Sequence, residues 1–329
     1  MRESDYREAR TATRVGRKKS VPRLSEAPTQ PVATEQAAPR LGTVIDGRYQ
    51  LLDLLGRGGF GAVYHARDLA TGEHVALKVL LSGEERRRKR RFERSASLLC
   101  ALRHPGVIAG LAYGSDQDLV FLAMEHLPDS QDLEQVLLRC GGRLPWPDAT
   151  QYACELLEAL DFLHQQQVIH RDVKPKNVLL SQRGVVLIDF DLAKRLGPGL
   201  EDSGELDLNG LTEERTHSGL TGTPLYMAPE RIEGGAVDAQ ADLYAAGLVL
   251  FVLLTGKLPS DCATAPRTIR ELSCARRLRP PMLGADLGYE VPAELDAWLG
   301  RALDPRPRQR FTSAAEMYEQ LSAVLLVHG

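Results

Sequence analysis

Cysteine is scarce in this sequence and scattered where it occurs, at Cys100, Cys140, Cys154, Cys262 and Cys274. No two form a C-x-x-C pair, and no histidine stands at metal-ligand spacing from any of them. That fits reduced thiols in a cytoplasmic protein better than a disulfide framework or a thiolate metal knot. Long apolar runs are missing as well. The stretch from Ala245 to Thr255 falls short of the roughly 20 residues that a bilayer-spanning helix needs. No apolar segment follows the amino-terminal charges, so neither a secretory signal nor a membrane partner is expected. No charge sign dominates: the net charge is −3, which gives the chain as a whole no attraction for a nucleic-acid backbone. The two basic clusters, Arg14 to Arg23 and Arg86 to Arg91, lack interleaved aromatics of the kind that stack on bases.

The sequence does have enough apolar residues for a core. With 329 residues, 43% hydrophobic and 26% charged, it has the composition of a globular protein and room for one large two-lobed domain or two ordinary ones. Residues 1–44 carry Arg, Ala, Thr, Pro and Glu without hydrophobic periodicity and are expected to form a polar, basic tail. From Tyr49 the pattern changes. Tyr49 to Leu54, Ala62 to Arg67, His74 to Leu81, Val107 to Tyr113 and Leu119 to Met124 are strand-like. Between them, Glu84 to Leu102 carries Phe92, Ala96, Leu99 and Leu102 on one helical face. After Glu125 helical spacing prevails, over Ala149 to Gln165, Ala239 to Thr255, Ala293 to Ala302 and Thr312 to Val327. A β-rich part followed by an α-rich part predicts an α+β design in two lobes over residues 45–326, the small lobe at about 45–125 and the larger one at about 126–326.

Five elements carry chemistry. The segment Leu55-Gly56-Arg57-Gly58-Gly59-Phe60-Gly61 has glycines at G-x-G-x-x-G spacing, which lets backbone amides approach a phosphate chain. A dinucleotide fingerprint would need a helix next, whereas a strand follows here, so the context favours a flap over phosphates. Lys78 closes Val75-Ala76-Leu77-Lys78 on the following strand, where a cation can meet α- and β-phosphates. The strongest element is His170-Arg171-Asp172-Val173-Lys174-Pro175-Lys176-Asn177. Phosphoryl transfer needs a carboxylate to accept the incoming hydroxyl's proton, which Asp172 supplies. Lys174 can offset charge on the moving group, and Asn177 offers a neutral oxygen to magnesium. Asp189 follows an apolar strand and opens Asp189-Phe190-Asp191, another hard-cation ligand. Last comes Gly222-Thr223-Pro224-Leu225-Tyr226-Met227-Ala228-Pro229-Glu230.

In this order and spacing, these elements resemble the protein kinases, and the chain looks like a eukaryotic-like bacterial serine/threonine kinase. The resemblance runs from about Tyr49 to Leu326. It implies ATP and Mg2+ as cofactors, protein substrates presenting Ser or Thr, and self-phosphorylation in trans. Catalysis would rest on Asp172, Lys174, Lys78, Asn177 and Asp189, with Asn177 and Asp189 holding the metal. By the same comparison Met124 is the gatekeeper, and Glu125 to Leu127 form the hinge that meets adenine. Leu55, Val63, Ala76 and Leu179 would enclose the base, and Asp129 or Asp132 would reach the ribose. Asp242 resembles the aspartate at the core of the large lobe, and Arg310 the arginine that pairs with Glu230.

Three departures stand out. The regulatory helix should carry a glutamate at position 95 to pair with Lys78, but the sequence reads Arg91-Phe92-Glu93-Arg94-Ser95. Either Glu93 reaches the lysine through a shifted helix, another acid substitutes, or transfer is weak. In the last case the chain would be a nucleotide-binding pseudokinase. Asp191 stands where the family has glycine, which is expected to restrict backbone movement there while leaving Asp189 a ligand. The run Arg86 to Arg91 repels itself, and a phosphorylated loop between Asp189 and Glu230 is expected to dock on it alongside Arg171. Thr216 and Ser218 are the preferred phosphorylation sites, then Thr221; Thr212 shares the loop, and Thr223 should instead touch the catalytic loop.

Overall fold

The computed structural model describes residues 38–58, 61–80, 86–196, 215–216, 219–220, 223–234, 238–259 and 291–329. Six strands form one antiparallel sheet: β1 (Val44–Ile45), β2 (Tyr49–Gly58), β3 (Gly61–Asp68), β4 (His74–Leu80), β5 (Gly110–Asp116) and β6 (Leu119–Glu125). Their order across the sheet is β1-β2-β3-β4-β6-β5. Alternation in β3 and β4 turns Ala62, Tyr64, Ala66, Val75, Leu77 and Val79 to one face, where they pack with Tyr49 and Phe121. Period-two burial of this kind fixes strand register, because a slip of one residue would expose the whole set. Packing begins ahead of the 44/45 boundary read from composition. The Tyr64 hydroxyl donates to the Pro39 carbonyl at 3.0 Å, and the Gly42 amide to Leu51 at 2.8 Å.

The helix α1 (Arg86–Ala101) crosses the sheet's other side. Its buried residues Phe92, Ala96 and Leu99 join an apolar cluster that continues into the second lobe. The strip Gly106 to Ile108 ties the lobes together, the Leu187 amide donating to Gly106 and the Ile108 amide to Leu187.

The second lobe is helical. Its elements are β7 (Gln131–Asp132), α2 (Leu133–Arg139), α3 (Trp146–Gln165), β8 (Val168–Ile169), β9 (Val178–Ser181), β10 (Gly184–Leu187), β11 (Lys194–Arg195), α4 (Pro229–Ile232), α5 (Ala239–Thr255), α6 (Ala293–Ala302) and α7 (Ala314–His328). Every residue of α5 from Ala241 to Leu254 is buried. A helix apolar all round belongs at the centre of a lobe. Asp238 caps its start by accepting from the Gln240 amide, and Gly256 ends it in the left-handed conformation at φ 73°. Only glycine suits that end, since a Cβ would collide with the Gly142 carbonyl. Among the described residues, no helix is long and apolar enough to cross a membrane.

Candidate active site

The cleft-facing hairpin is built from β2 and β3, with Gly56 opposite Val63 and Gly58 opposite Gly61. The two measurable glycines serve different ends. A Cβ on Gly56 would meet nothing within 4 Å, whereas one on Gly61 would strike the Val79 carbonyl of β4. Gly61 is thus required for strands to pack, and Gly56 leaves open space. Gly59 and Phe60, named with this loop, lie outside the described residues.

Register sets the rest of the cleft's upper wall. Ala76 stands opposite Met124, and Lys78 opposite both Val63 and Leu122. Met124, Leu127 and Leu179 are partly buried against the large core, while Leu55 is 52% exposed at the rim. Of the two acids proposed for ribose, Asp132 caps α2 by accepting from the Gln135 amide at 2.9 Å; Asp129 is exposed with φ 56°.

The Glu125 side chain has a role that its hinge position did not disclose. It accepts from the Ala109 amide at 2.8 Å and from both terminal nitrogens of Arg183 at 2.7 and 2.6 Å. Since Arg183 sits in the turn between β9 and β10, this bidentate pair straps one lobe to the other behind the cleft. No local pattern in the sequence signals it.

Below, the segment 170–177 is held from inside. Asp242, 1% exposed, accepts from the amides of His170 and Arg171, both at 2.8 Å, and meets His164 Nε2 at 3.1 Å. Burial would push this carboxyl up, but the bonds to His164 and the Arg171 amide, with charge from His164 and His170, bring it below its usual range. Arg171 is thereby fixed at φ 68°, a strained conformation for a non-glycine residue. The His170 ring meets the Ile188 carbonyl at 3.0 Å and packs edge-on against Phe190. Arg231 of α4 donates to the Arg171 carbonyl at 2.7 Å.

On this frame Asp172, Lys174 and Asn177 converge. Lys174 Nζ lies 3.0 Å from Asp172 Oδ2, and the Asn177 amide nitrogen donates at 2.8 Å to both Oδ2 and the Asp172 carbonyl. Burial raises the Asp172 carboxyl above the ordinary range, with Lys174 pulling the other way. A carboxylate more basic than usual is suited to accepting a proton.

Across the cleft, Lys78 Nζ touches two carboxylates, Asp189 Oδ1 at 2.8 Å and Asp191 Oδ2 at 2.7 Å. Burial alone would favour the neutral amine, but the two acids outweigh it and hold Lys78 above its usual value. Burial also works against ionisation of Asp189, but Lys78 keeps it low; burial and the nearby Asp189 charge push Asp191 up. Asp189 itself adopts φ 64°.

The expected alternatives at the helix are thereby separated. Glu93 makes no ion pair with Lys78. Ser95 is buried, and its hydroxyl donates to the Phe92 carbonyl of its own helix at 3.0 Å. Glu230 and Arg310 pair as the resemblance implied, through two contacts of 2.8 Å. Ser218, Thr212 and Thr221 lie outside the described residues; Thr216 belongs to a short strand, Arg215–Thr216, paired with Gly219–Leu220.

A sheet-built small lobe, a helical large lobe and two facing clusters of Lys, Asp and Asn are the architecture of a protein kinase, and the chain belongs to that family: the protein kinase domain model matches residues 49–321. Among curated relatives, the serine/threonine-protein kinase PksC of Streptomyces coelicolor is 34% identical over 284 residues, covering 83% of this chain and 48% of the relative. The serine/threonine-protein kinase PknB of Mycobacterium leprae is 32% identical over 291 residues, covering 85% and 43%. The chain thus spans about half the length of the curated relatives it matches. Among solved structures, the kinase domain of Mycobacterium tuberculosis PknI superposes with a TM-score of 0.65 at 28% identity, covering 88% of this chain and 100% of that one.

Proposed function

We propose that the chain is an ATP-dependent serine/threonine protein kinase that moves the γ-phosphoryl group onto Ser or Thr hydroxyls of proteins, its own activation segment included, in trans. The observation that carries this reading is the hydrogen-bonded group Asp172–Lys174–Asn177 facing the Lys78–Asp189 pair. Asp172 accepts the hydroxyl proton as the oxygen attacks, and Lys174 offsets negative charge on the group in transit. Lys78 orients the α- and β-phosphates, and at Gly56 a Cβ would meet nothing within 4 Å, so the hairpin is open there.

The donors present suit Mg2+. Asn177 spends its amide nitrogen on Asp172, leaving its oxygen as the donor, and Asp189 is held ionised with a side chain 33% exposed. Among the described residues no group of three or more His, Cys, Asp or Glu could hold a metal. A hard cation bound through one or two protein oxygens, water and substrate phosphates needs no such cage. When bound there, the metal neutralises charge on the phosphates. Free Cys100, Cys140 and Cys154 and dependence on ATP suit the cytoplasm.

The test is incubation of the purified chain with γ-labelled ATP and magnesium, beside Asp172→Asn. Label on Ser or Thr that vanishes in the variant is the expected result; a drop of roughly a hundredfold or more is typical for loss of a positioned base. ATP binding without transfer would instead identify a nucleotide-binding pseudokinase.

A further inference from the structure

We propose that Asp191 is the positioning counter-ion of Lys78, taking over the part that the α1 helix cannot supply from Ser95; this rests on the kinase reading above. The lysine's neighbourhood divides its two acids. The Asp191 side chain is 12% exposed, like that of Lys78, whereas that of Asp189 is 33% exposed. Asp191 therefore faces the closed side of the ammonium, and Asp189 the open cleft, where its second oxygen is free to serve a metal.

The contact to Asp189 is a hydrogen bond and that to Asp191 an ion pair at 2.7 Å, so the two can coexist on one ammonium. They are not equivalent during a reaction. Once Asp189 turns its charge to a cation, Lys78 would be left in a buried site without an anion, a state that low polarity penalises heavily. Asp191 stays beside it.

The helix is connected to this arrangement indirectly. Arg91 of α1 donates from Nε to the Asp191 carbonyl at 2.9 Å. Ser95, one turn further along the buried face, closes its hydroxyl onto Phe92 and has nothing to extend toward the lysine. A direct link from helix to lysine is thus replaced by two shorter ones, helix to the Asp191 backbone and Asp191 carboxylate to lysine. The two departures from the family pattern, a serine on the helix and an aspartate after Phe190, are complementary: the charge missing at one reappears at the other.

The test compares four proteins, the unaltered chain, Asp191→Asn, Ser95→Glu and the double variant, for kcat and KM for ATP, with thermal unfolding to establish that each is folded. If the unaltered chain transfers no phosphate, the kinase reading fails, independently of Asp191. If it does, Asp191→Asn is expected to lose about a hundredfold in kcat, the scale of a misplaced catalytic group. Adding Ser95→Glu should then recover about tenfold or more, because a helix glutamate restores an anion from the other side. A merely structural aspartate would not be rescued from that position. A second reading needs no turnover: in a structure of the nucleotide–magnesium complex, Lys78 Nζ should remain in ion-pair contact with Asp191. Asp191→Asn within threefold of the unaltered chain, a loss that Ser95→Glu leaves in place, or Lys78 found paired with Glu93 in the complex would each overturn the proposal.

Discussion

The two halves of the candidate active site are held in opposite ways. The segment carrying Asp172 is fixed from within one lobe, its backbone amides bonded to a carboxylate on the most deeply buried helix. The Lys78 group is assembled across the cleft from three charges on β4 and the Asp189–Asp191 turn, with Arg91 reaching in from α1. Backbone bonds to a core anchor cost little to keep in order, because the core is already ordered. Ion pairs between different parts of the fold hold only where those parts are aligned. One half is therefore set by folding, and the other by how the lobes meet.

Damage to the two halves should accordingly show up in different measurements. The largest effect is expected at Asp242→Ala, which strands the His170 and Arg171 amides and His164 in the interior. At about 1–3 kcal/mol for each buried unsatisfied group, the variant should lose several kcal/mol in urea unfolding. If stability holds while only activity falls, the contrast between the halves is wrong. Next is Arg91→Met, expected to slow transfer about tenfold while changing unfolding free energy by less than about 1 kcal/mol, since it loosens alignment and leaves the core alone. Glu125→Gln should be milder. Its pair with Arg183 is partly exposed, so about 1 kcal/mol or less is at stake, and that contribution should shrink further at high salt.

The smallest effect on transfer belongs to a pair far from the cleft. Hydrogen bonds from Arg48 hold the Asp68 carboxyl down to about 2. A carboxyl depressed in the folded state adds stability above its ordinary value near 4, and that stability is lost as the pH falls from there toward 2. Asp68→Asn should flatten this part of a stability-against-pH curve and leave transfer near neutral pH unchanged.

Much of this molecule was legible in its residues, for identifiable reasons. The helix Ala239 to Thr255 and the helix Ala293 to Ala302 were readable because an apolar run or a 3.6-residue period is a local signal. The convergence of Asp172, Lys174 and Asn177 was readable because they stand within six positions of one another in the chain. The strap from Glu125 to Arg183 was not, for its partners lie 58 residues apart and neither breaks a local pattern. Asp191 was visible as an oddity and read as a brake on backbone movement; its contact with a lysine 113 positions earlier exists only in three dimensions. The start of packing at Pro39 was hidden because a bond from the Tyr64 hydroxyl to a carbonyl asks nothing of the side chain at position 39.

The carboxylate of Asp242 lies among the apolar residues of α5, and so the catalytic segment inherits its coordinates from how tightly those residues fit. A methyl group removed at Leu250 or Val249, both fully buried, lets the helix settle into the space it vacates. The amides of His170 and Arg171 move with it. Volume in the centre of the large lobe is thereby expected to act as a graded control on the proposed transfer. Mutations with no view of the cleft are expected to produce slow, heat-sensitive enzymes rather than dead ones.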